Sequence, residues 1–121
     1  MADGPERPFL LTVDVEPDWG VRGHQAVAET LPRLSALLRR LRMRATFFIV
    51  AEMLDACGAL LERELAEHEI ASHGLTHRVL TEIPPEEVAR ELGESRRRIE
   101  ERFGRAVRGF RAPFLKTPAG W

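Results

Sequence analysis

Short, continuous apolar runs separated by longer helical patterns are the feature that most constrains the fold of this chain. The clearest runs cover residues 9–13 and 45–50, and weaker candidates cover 69–72 and 107–111. Runs of this length are typical of strands that are buried on both faces, as in a parallel sheet. The sequence therefore predicts four strands.

Helical patterns occupy the intervals between these runs. They cover residues 30–41, 58–67 and 85–103. Thr30 can cap the first helix with Pro32 in its first turn, and Gly104 provides a left-handed stop after the third. Because strands and helices alternate, and because 121 residues suffice for one ordinary domain, we expect a single α/β domain with a parallel sheet.

Composition excludes several classes of function. The formal net charge is −1, so the chain lacks the basic excess of a nucleic-acid or membrane-surface binder. Cys57 is the single cysteine, which excludes an intrachain disulfide and suggests a small core residue. No segment has the apolar length of a membrane span, and residues 1–8 do not resemble a signal peptide, so the expected compartment is the cytoplasm.

Polar residues follow three of the predicted strands, at the point where each strand ends. These segments are residues 14–16, 72–77 and 110–113. Active sites of α/β folds are built at the carboxyl ends of the strands. We therefore expect the three segments to form one site.

Two histidines and two carboxylates in these segments suggest a metal centre. His73 and His77 are four positions apart, about one helical turn, so both imidazoles can reach one ion. Catalytic zinc commonly takes three protein ligands, and two histidines with one carboxylate supply that set. Of Asp14 and Glu16, one would then bind the metal and the other would take a proton from water. The alternative is that the acids are turn residues before Pro17 and that the histidines lie on the surface.

The same segments resemble the motifs of the polysaccharide deacetylase (NodB-homology) family. The resemblance extends from about residue 9 to residue 114, with the motifs in the family's order. The matching stretches are residues 12–16, 45–50, 68–77 and 109–113. Together they are specific, whereas any one of them alone would not be.

The resemblance implies particular roles for the matching residues. Asp14 matches the catalytic base, and Arg111 matches the residue that orients and charge-pairs that base. His73 and His77 match metal ligands, and the metal implied is a divalent ion, Zn²⁺ in particular.

The third metal ligand is assigned by similarity to one branch of the family. Many members carry two adjacent aspartates, whereas Val15 separates the two acids here. The exopolysaccharide-associated and cyclic-imide-hydrolase-like branch has an acid two positions on, which implies Glu16 as the third ligand. Asp18 is the fallback.

The implied activity is metal-dependent hydrolysis of N-acetyl groups on a glycan, with release of acetate. Cyclic imide or ureide hydrolysis on the same site, and an inactive remnant that still binds metal, are the alternatives. Trp19 could stack on a sugar ring or could equally be a core or loop aromatic.

The implied fold is a distorted (β/α)7-8 barrel, of which residues 1–121 would form roughly half. The family's later motifs, which include a general-acid histidine, have no counterpart here, so we expect the domain to be incomplete at its C-terminal side. An unpaired strand edge and an apolar sheet face would then favour self-association.

Overall fold

The computed structural model describes residues 7–20 and 23–121. The prediction that residues 1–8 are not a signal peptide concerns mostly residues 1–6, which lie outside the described part. The described elements are strands β1 (Thr12–Val15), β2 (Thr46–Ile49) and β3 (Glu69–Ser72), and helices α1 (Gln25–Leu41), α2 (Met53–Glu64) and α3 (Pro85–Phe103). Short 3-10 turns lie before α3, at Leu80–Glu82, and after it, at Pro113–Leu115.

The three strands form a parallel sheet in the order β1-β2-β3. Asp14 pairs with Phe48, which pairs in turn with Ala71, so the carboxyl ends of the strands are level. This register confirms the prediction of a parallel α/β arrangement.

The two faces of the sheet have different environments, because side chains alternate along each strand. Val15, Phe47 and Ile70 point to the face that the helices cover, and their exposed fractions are 3% or less. The opposite face carries Asp14 and the half-buried Phe48. The sequence predicted an exposed sheet face that is apolar. This prediction is only partly correct, since Thr12, Thr46 and Glu69 also lie on that face.

Helix α1 begins earlier than predicted. It starts at Gln25 and not at Thr30, so Pro32 lies inside the helix instead of in its first turn. The side chain of Asp18, from the preceding loop, accepts hydrogen bonds from the backbone N–H groups of Gln25 and Ala26, both at 3.0 Å. These bonds satisfy two of the donors that a helix leaves free at its N-terminus.

Helix α2 also begins earlier than predicted, whereas α3 has the predicted bounds. Gly58 was taken as the start of α2 but is a buried residue within it. A Cβ at Gly58 would lie 2.6 Å from the guanidinium carbon of Arg102, so glycine leaves room for the end of this side chain from α3. Gly104 ends α3 with a φ of 67°, as its left-handed stop requires.

The first and fourth predicted strands are only partly formed. Phe9 and Leu10 are 74% and 85% exposed and precede β1, while the fourth run contributes one parallel bridge between Ser72 and Phe110. That bridge continues the sheet beyond β3 and is enough to bring Arg111 beside it. In the described part of the chain, no helix is long and apolar enough to cross a membrane.

Candidate metal and catalytic site

The two acids of the first motif lie at the carboxyl end of β1. Asp14 is within the strand and faces the open side of the sheet, and Glu16 follows the last strand residue. The side chains of Asp14 and Glu16 are 34% and 40% exposed. Both carboxylates are therefore accessible to a ligand or to water.

The two histidines converge through a loop. Residues 73–77 contain no helix, and His77 has a φ of 59°, so the predicted placement on a helical turn is wrong. The imidazole centroids are nevertheless 5.1 Å apart. The left-handed backbone conformation of His77 turns its imidazole back toward that of His73.

His73 is held in one orientation by the backbone. Its ring is 2% exposed, and Nδ1 lies 2.7 Å from the carbonyl oxygen of Arg111. A carbonyl can only accept, so Nδ1–H donates and Nε2 carries the lone pair, an assignment made from this contact. Metal-binding histidines are commonly oriented by such a bond from their other ring nitrogen.

Glu16 lies between the two histidines. Its Oε2 is 3.2 Å from Nε2 of His73 and 2.8 Å from Nε2 of His77. The potential ligand atoms of these three residues all lie within 4.8 Å of one another. One carboxylate and two imidazoles in this arrangement match the donor set and openness of a catalytic zinc site.

Arg111 reaches across the sheet to the first strand. Its Nη1 donates to Oδ1 of Asp14 at 2.8 Å, and its Nη2 donates to Oγ1 of Thr12 at 2.9 Å. The guanidinium carbon lies 4.2 Å from the centroid of the Phe48 ring, within the range of a cation–π contact. One oxygen of Asp14 is thus engaged, while Oδ2 faces Nε2 of His73 at 3.8 Å.

Asp18 is engaged elsewhere. Both of its oxygens accept from the first residues of α1, and it is not part of the cluster of Glu16, His73 and His77. Its contacts favour a capping role over that of a third ligand.

The sequence analysis missed a buried acid that lies beneath residues 73–77, which are called the histidine loop below. Glu91 is 3% exposed and accepts from the backbone N–H groups of Leu75 and Thr76 at 2.7 and 3.0 Å. It also accepts a short hydrogen bond from the Thr76 hydroxyl. Glu91 could have been found from its position, because it falls on the same helical stripe as Val88 and Ile99.

An open pocket adjoins the site. It has a volume of about 290 Å³ and is lined in part by Glu16, His77, Trp19 and Phe114. Trp19 is 88% exposed, which excludes the interpretation that it is a core aromatic. The Phe114 ring lies 5.1 Å from that of His77, and its φ is 57°.

The chain belongs to the polysaccharide deacetylase family, whose sequence model matches residues 2–120. It is 37% identical over 101 residues to a chitooligosaccharide deacetylase of Rhizobium leguminosarum bv. phaseoli, covering 81% of this chain and 40% of that protein. It is 28% identical over 97 residues to chitin deacetylase 1 of Cryptococcus neoformans, covering 79% of this chain and 21% of that protein. The chain thus spans well under half the length of these relatives.

Solved structures support the same fold. A CE4 family pseudoenzyme from Bacillus anthracis superposes with a TM-score of 0.77 at 25% identity, over 91% of this chain and 36% of that protein. A peptidoglycan N-acetylglucosamine deacetylase superposes with the same TM-score at 21% identity, over 91% of this chain and 48% of that protein. The α/β fold is therefore that of a part of the deacetylase barrel, as the sequence predicted.

Proposed function

We propose that this chain is part of a zinc-dependent deacetylase that hydrolyses the acetamide groups of an N-acetylated glycan. The observation that carries the proposal is the convergence of Glu16, His73 and His77 beside the pair formed by Asp14 and Arg111. The names of the chitooligosaccharide and chitin deacetylases support the substrate class.

Glu16, His73 and His77 would hold the metal. Their donor types suit zinc, and the bond from His73 Nδ1 to the Arg111 carbonyl leaves Nε2 directed at Glu16. A zinc ion bound there would act as a Lewis acid toward the acetamide carbonyl and would lower the pKa of water.

Asp14 would act as the general base. Arg111 holds Oδ1 at 2.8 Å, so Oδ2 is the oxygen available to take a proton from the attacking water. Water adds to the acetamide carbon as Asp14 takes one of its protons, and this proton passes to the sugar nitrogen as the bond between carbon and nitrogen breaks, so that acetate and a free sugar amine are released. Arg111 keeps the base oriented and stabilises its charge through this contact.

The exposed aromatic side chains suit a sugar ring. Trp19 borders the pocket that Glu16 and His77 also line. Aromatic rings offer sugars an apolar face for stacking, which supports a glycan as the substrate.

An inactive metal-binding protein is the second candidate. The observation that favours it is that a structural neighbour with a TM-score of 0.77 is described as a CE4 family pseudoenzyme. A second structure of that protein is described as a mutant with restored enzymatic activity, so the fold alone does not decide between the two functions in that case.

The decisive experiment measures zinc content and acetate release on the same samples. We expect the zinc-loaded chain, supplied with the remaining part of the barrel, to release acetate from chitooligosaccharides, and we expect Asp14→Asn to abolish release while retaining zinc. Glu94→Gln, on the outer side of α3, is the matched control and should change neither quantity.

One result would contradict the hydrolase proposal, and another would contradict only the role given to Asp14. Zinc binding without acetate release, even when the remaining part of the barrel is supplied, would favour the inactive alternative. Release that survives in Asp14→Asn would exclude Asp14 as the base. A cyclic imide assayed in parallel tests whether the site prefers that amide instead.

A further inference from the structure

The histidine loop is attached to the rest of the molecule on two sides. On one side, the N–H groups of Ala51 and Glu52 donate to the carbonyls of Gly74 and Leu75, at 2.9 and 3.0 Å. Ala51 and Glu52 follow closely after β2, so this attachment joins the loop to the carboxyl end of the sheet. It satisfies backbone acceptors of the loop but leaves the backbone donors to find other partners.

Two of the backbone donors of the loop are taken by Glu91, on α3. Its Oε2 accepts from the N–H groups of Leu75 and Thr76, and its Oε1 accepts from the Thr76 hydroxyl. These two residues lie between His73 and His77 in the chain. A single side chain from a separate helix thus fixes the segment that joins the two imidazoles.

Burial makes these hydrogen bonds difficult to replace. Glu91 is 3% exposed, and a buried carboxylate without hydrogen-bond donors is strongly unfavourable. The loop supplies all three donors, so loop and carboxylate stabilise each other. A Cβ on Gly74 would lie 3.2 Å from Oε2 of Glu91, which shows how closely the acid approaches the loop.

A second contact from the same helix acts at the start of the loop. Ser95, one turn after Glu91, forms a 2.8 Å hydrogen bond between its hydroxyl and that of Ser72. The Ser72 hydroxyl in turn accepts from the N–H of Gly74 at 3.2 Å. Helix α3 is therefore in polar contact with the loop on both sides of His73.

We propose that Glu91 is a positioning residue that sets the distance between the imidazoles of His73 and His77, and thereby the affinity of the site for a divalent metal ion. The dependence on metal rests on the proposed function, whereas the effect on imidazole spacing does not. Glu91 touches neither imidazole in the described contacts and acts through Leu75 and Thr76.

Two substitutions of Glu91 separate the effect of its hydrogen bonds from that of its charge, and a third substitution, at Glu94, is the control. Glu91→Met keeps the length but removes every acceptor. Glu91→Gln keeps an oxygen for the two N–H donors, and its amide can donate to the Thr76 hydroxyl, so the loop should be retained. Glu94→Met, three positions along the same helix, is the matched control, because the Glu94 side chain pairs with Arg90 at the surface.

The first readout uses the metal-free protein. The imidazole centroids are 5.1 Å apart, so we expect nuclear Overhauser contacts between the two rings in the unsubstituted chain, in Glu91→Gln and in Glu94→Met. We expect these contacts to be lost in Glu91→Met. Their persistence in Glu91→Met, or their absence from the unsubstituted chain, would overturn the proposal.

The second readout is the zinc dissociation constant, measured by competition with a chelator. Removal of residues that orient metal ligands typically weakens metal binding about 10- to 100-fold, and we expect a loss in this range for Glu91→Met. Glu91→Gln and Glu94→Met should bind as the unsubstituted chain does. A lower melting temperature in Glu91→Met with unchanged zinc affinity would mean that Glu91 is only structural.

Two further outcomes remain interpretable. If Glu91→Met does not fold, Glu91→Asp decides, because its carboxylate is one methylene shorter and should weaken zinc binding; unchanged affinity there would overturn the proposal. If the unsubstituted chain binds no zinc, the proposed metal site fails, and the contacts between the imidazoles still decide the role of Glu91.

Discussion

The two ends of the parallel sheet each hold a buried histidine, and the two are used differently. At the amino end, His68 is 6% exposed, its Nδ1 accepts from the N–H of Ala45 at 3.3 Å, and its ring lies 5.1 Å from that of Phe47. At the carboxyl end, His73 is 2% exposed, but its Nδ1 donates and its Nε2 faces Glu16. Both rings are therefore buried, but Nδ1 accepts a hydrogen bond in His68 and donates one in His73.

The electrostatic surroundings of the two rings also differ. Burial is the largest cause of a lowered pKa at His68, and Arg44, Arg105 and Arg39 lower it further against an opposing effect of Glu67. The neutral ring at the amino end serves packing. At the carboxyl end, two carboxylates lie within 4 Å of Nε2 of His73, an environment that attracts a cation.

The largest expected effect is on metal binding at the carboxyl end. Glu16→Ala removes the carboxylate between the two histidines, so we expect zinc content to fall from about one per chain toward zero. Asp18→Ala should leave zinc content unchanged, because that side chain bonds to α1. Elemental analysis of the two variants distinguishes them, and zinc loss in Asp18→Ala would reassign the third ligand.

A smaller effect is expected from Arg111→Met. Orientation of Asp14 would be lost, so acetate release should fall on the order of 10- to 100-fold, the usual cost of removing an orienting partner. Zinc should be retained, because His73 is held by the backbone carbonyl of Arg111, which the substitution preserves. Loss of zinc in this variant would contradict the separate roles given to the side chain and the carbonyl.

Stability, and not metal binding, should respond to Asp18. Asp18→Ala leaves the N–H groups of Gln25 and Ala26 without their partner, and loss of such a cap costs about 1 kcal/mol of unfolding free energy. Asp18→Asn can still accept these bonds and should be much less destabilised. Urea denaturation of both variants tests this, and equal stability of Asp18→Ala and the unsubstituted chain would contradict it.

The smallest expected effect is a change in the pH dependence of stability at the amino end. The folded-state pKa of His68 lies below its ordinary value of 6.5, so the folded state binds the proton less well than the unfolded state. The stabilisation that neutral His68 gives the folded state is complete at a pH above 6.5, and it is lost as the pH falls below 6.5. We expect His68→Asn, which keeps an acceptor, to lose less thermal stability than the unsubstituted chain between about pH 7.5 and about pH 5.5.

The sequence predicted well those features that are determined locally. The bounds of α3 follow from Pro84, Pro85 and Gly104, which act within the helix ends themselves. The start of α1 could not be predicted in this way, because Asp18 caps it from seven positions upstream. Gly58 was misread for a related reason, since it is buried within α2 at a place where the end of the Arg102 side chain of α3 lies against it.

The sequence predicted that the candidate site residues would lie together, but it did not predict the contacts that support them. Asp14, Glu16, His73, His77 and Arg111 all appear in motifs, and the parallel register brings them to one end of the sheet. The loop geometry of the histidines and the contact with Glu91 depend on tertiary packing. A glutamate in a helical stretch is usually on the surface, and only its place among apolar neighbours indicates otherwise.

Some expectations remain predictions. Self-association through an exposed edge of the sheet is one, and size measurement in solution would test it. The identity of the metal is another.

The most direct test of the difference between the two ends is zinc stoichiometry in three proteins. These are the unsubstituted chain, the double variant His73→Ala, His77→Ala, and His68→Asn. We predict about one zinc per chain in the first and third and none in the second. Zinc retained in the double variant, or lost in His68→Asn, would contradict the assignment of the metal site to the carboxyl end of the sheet.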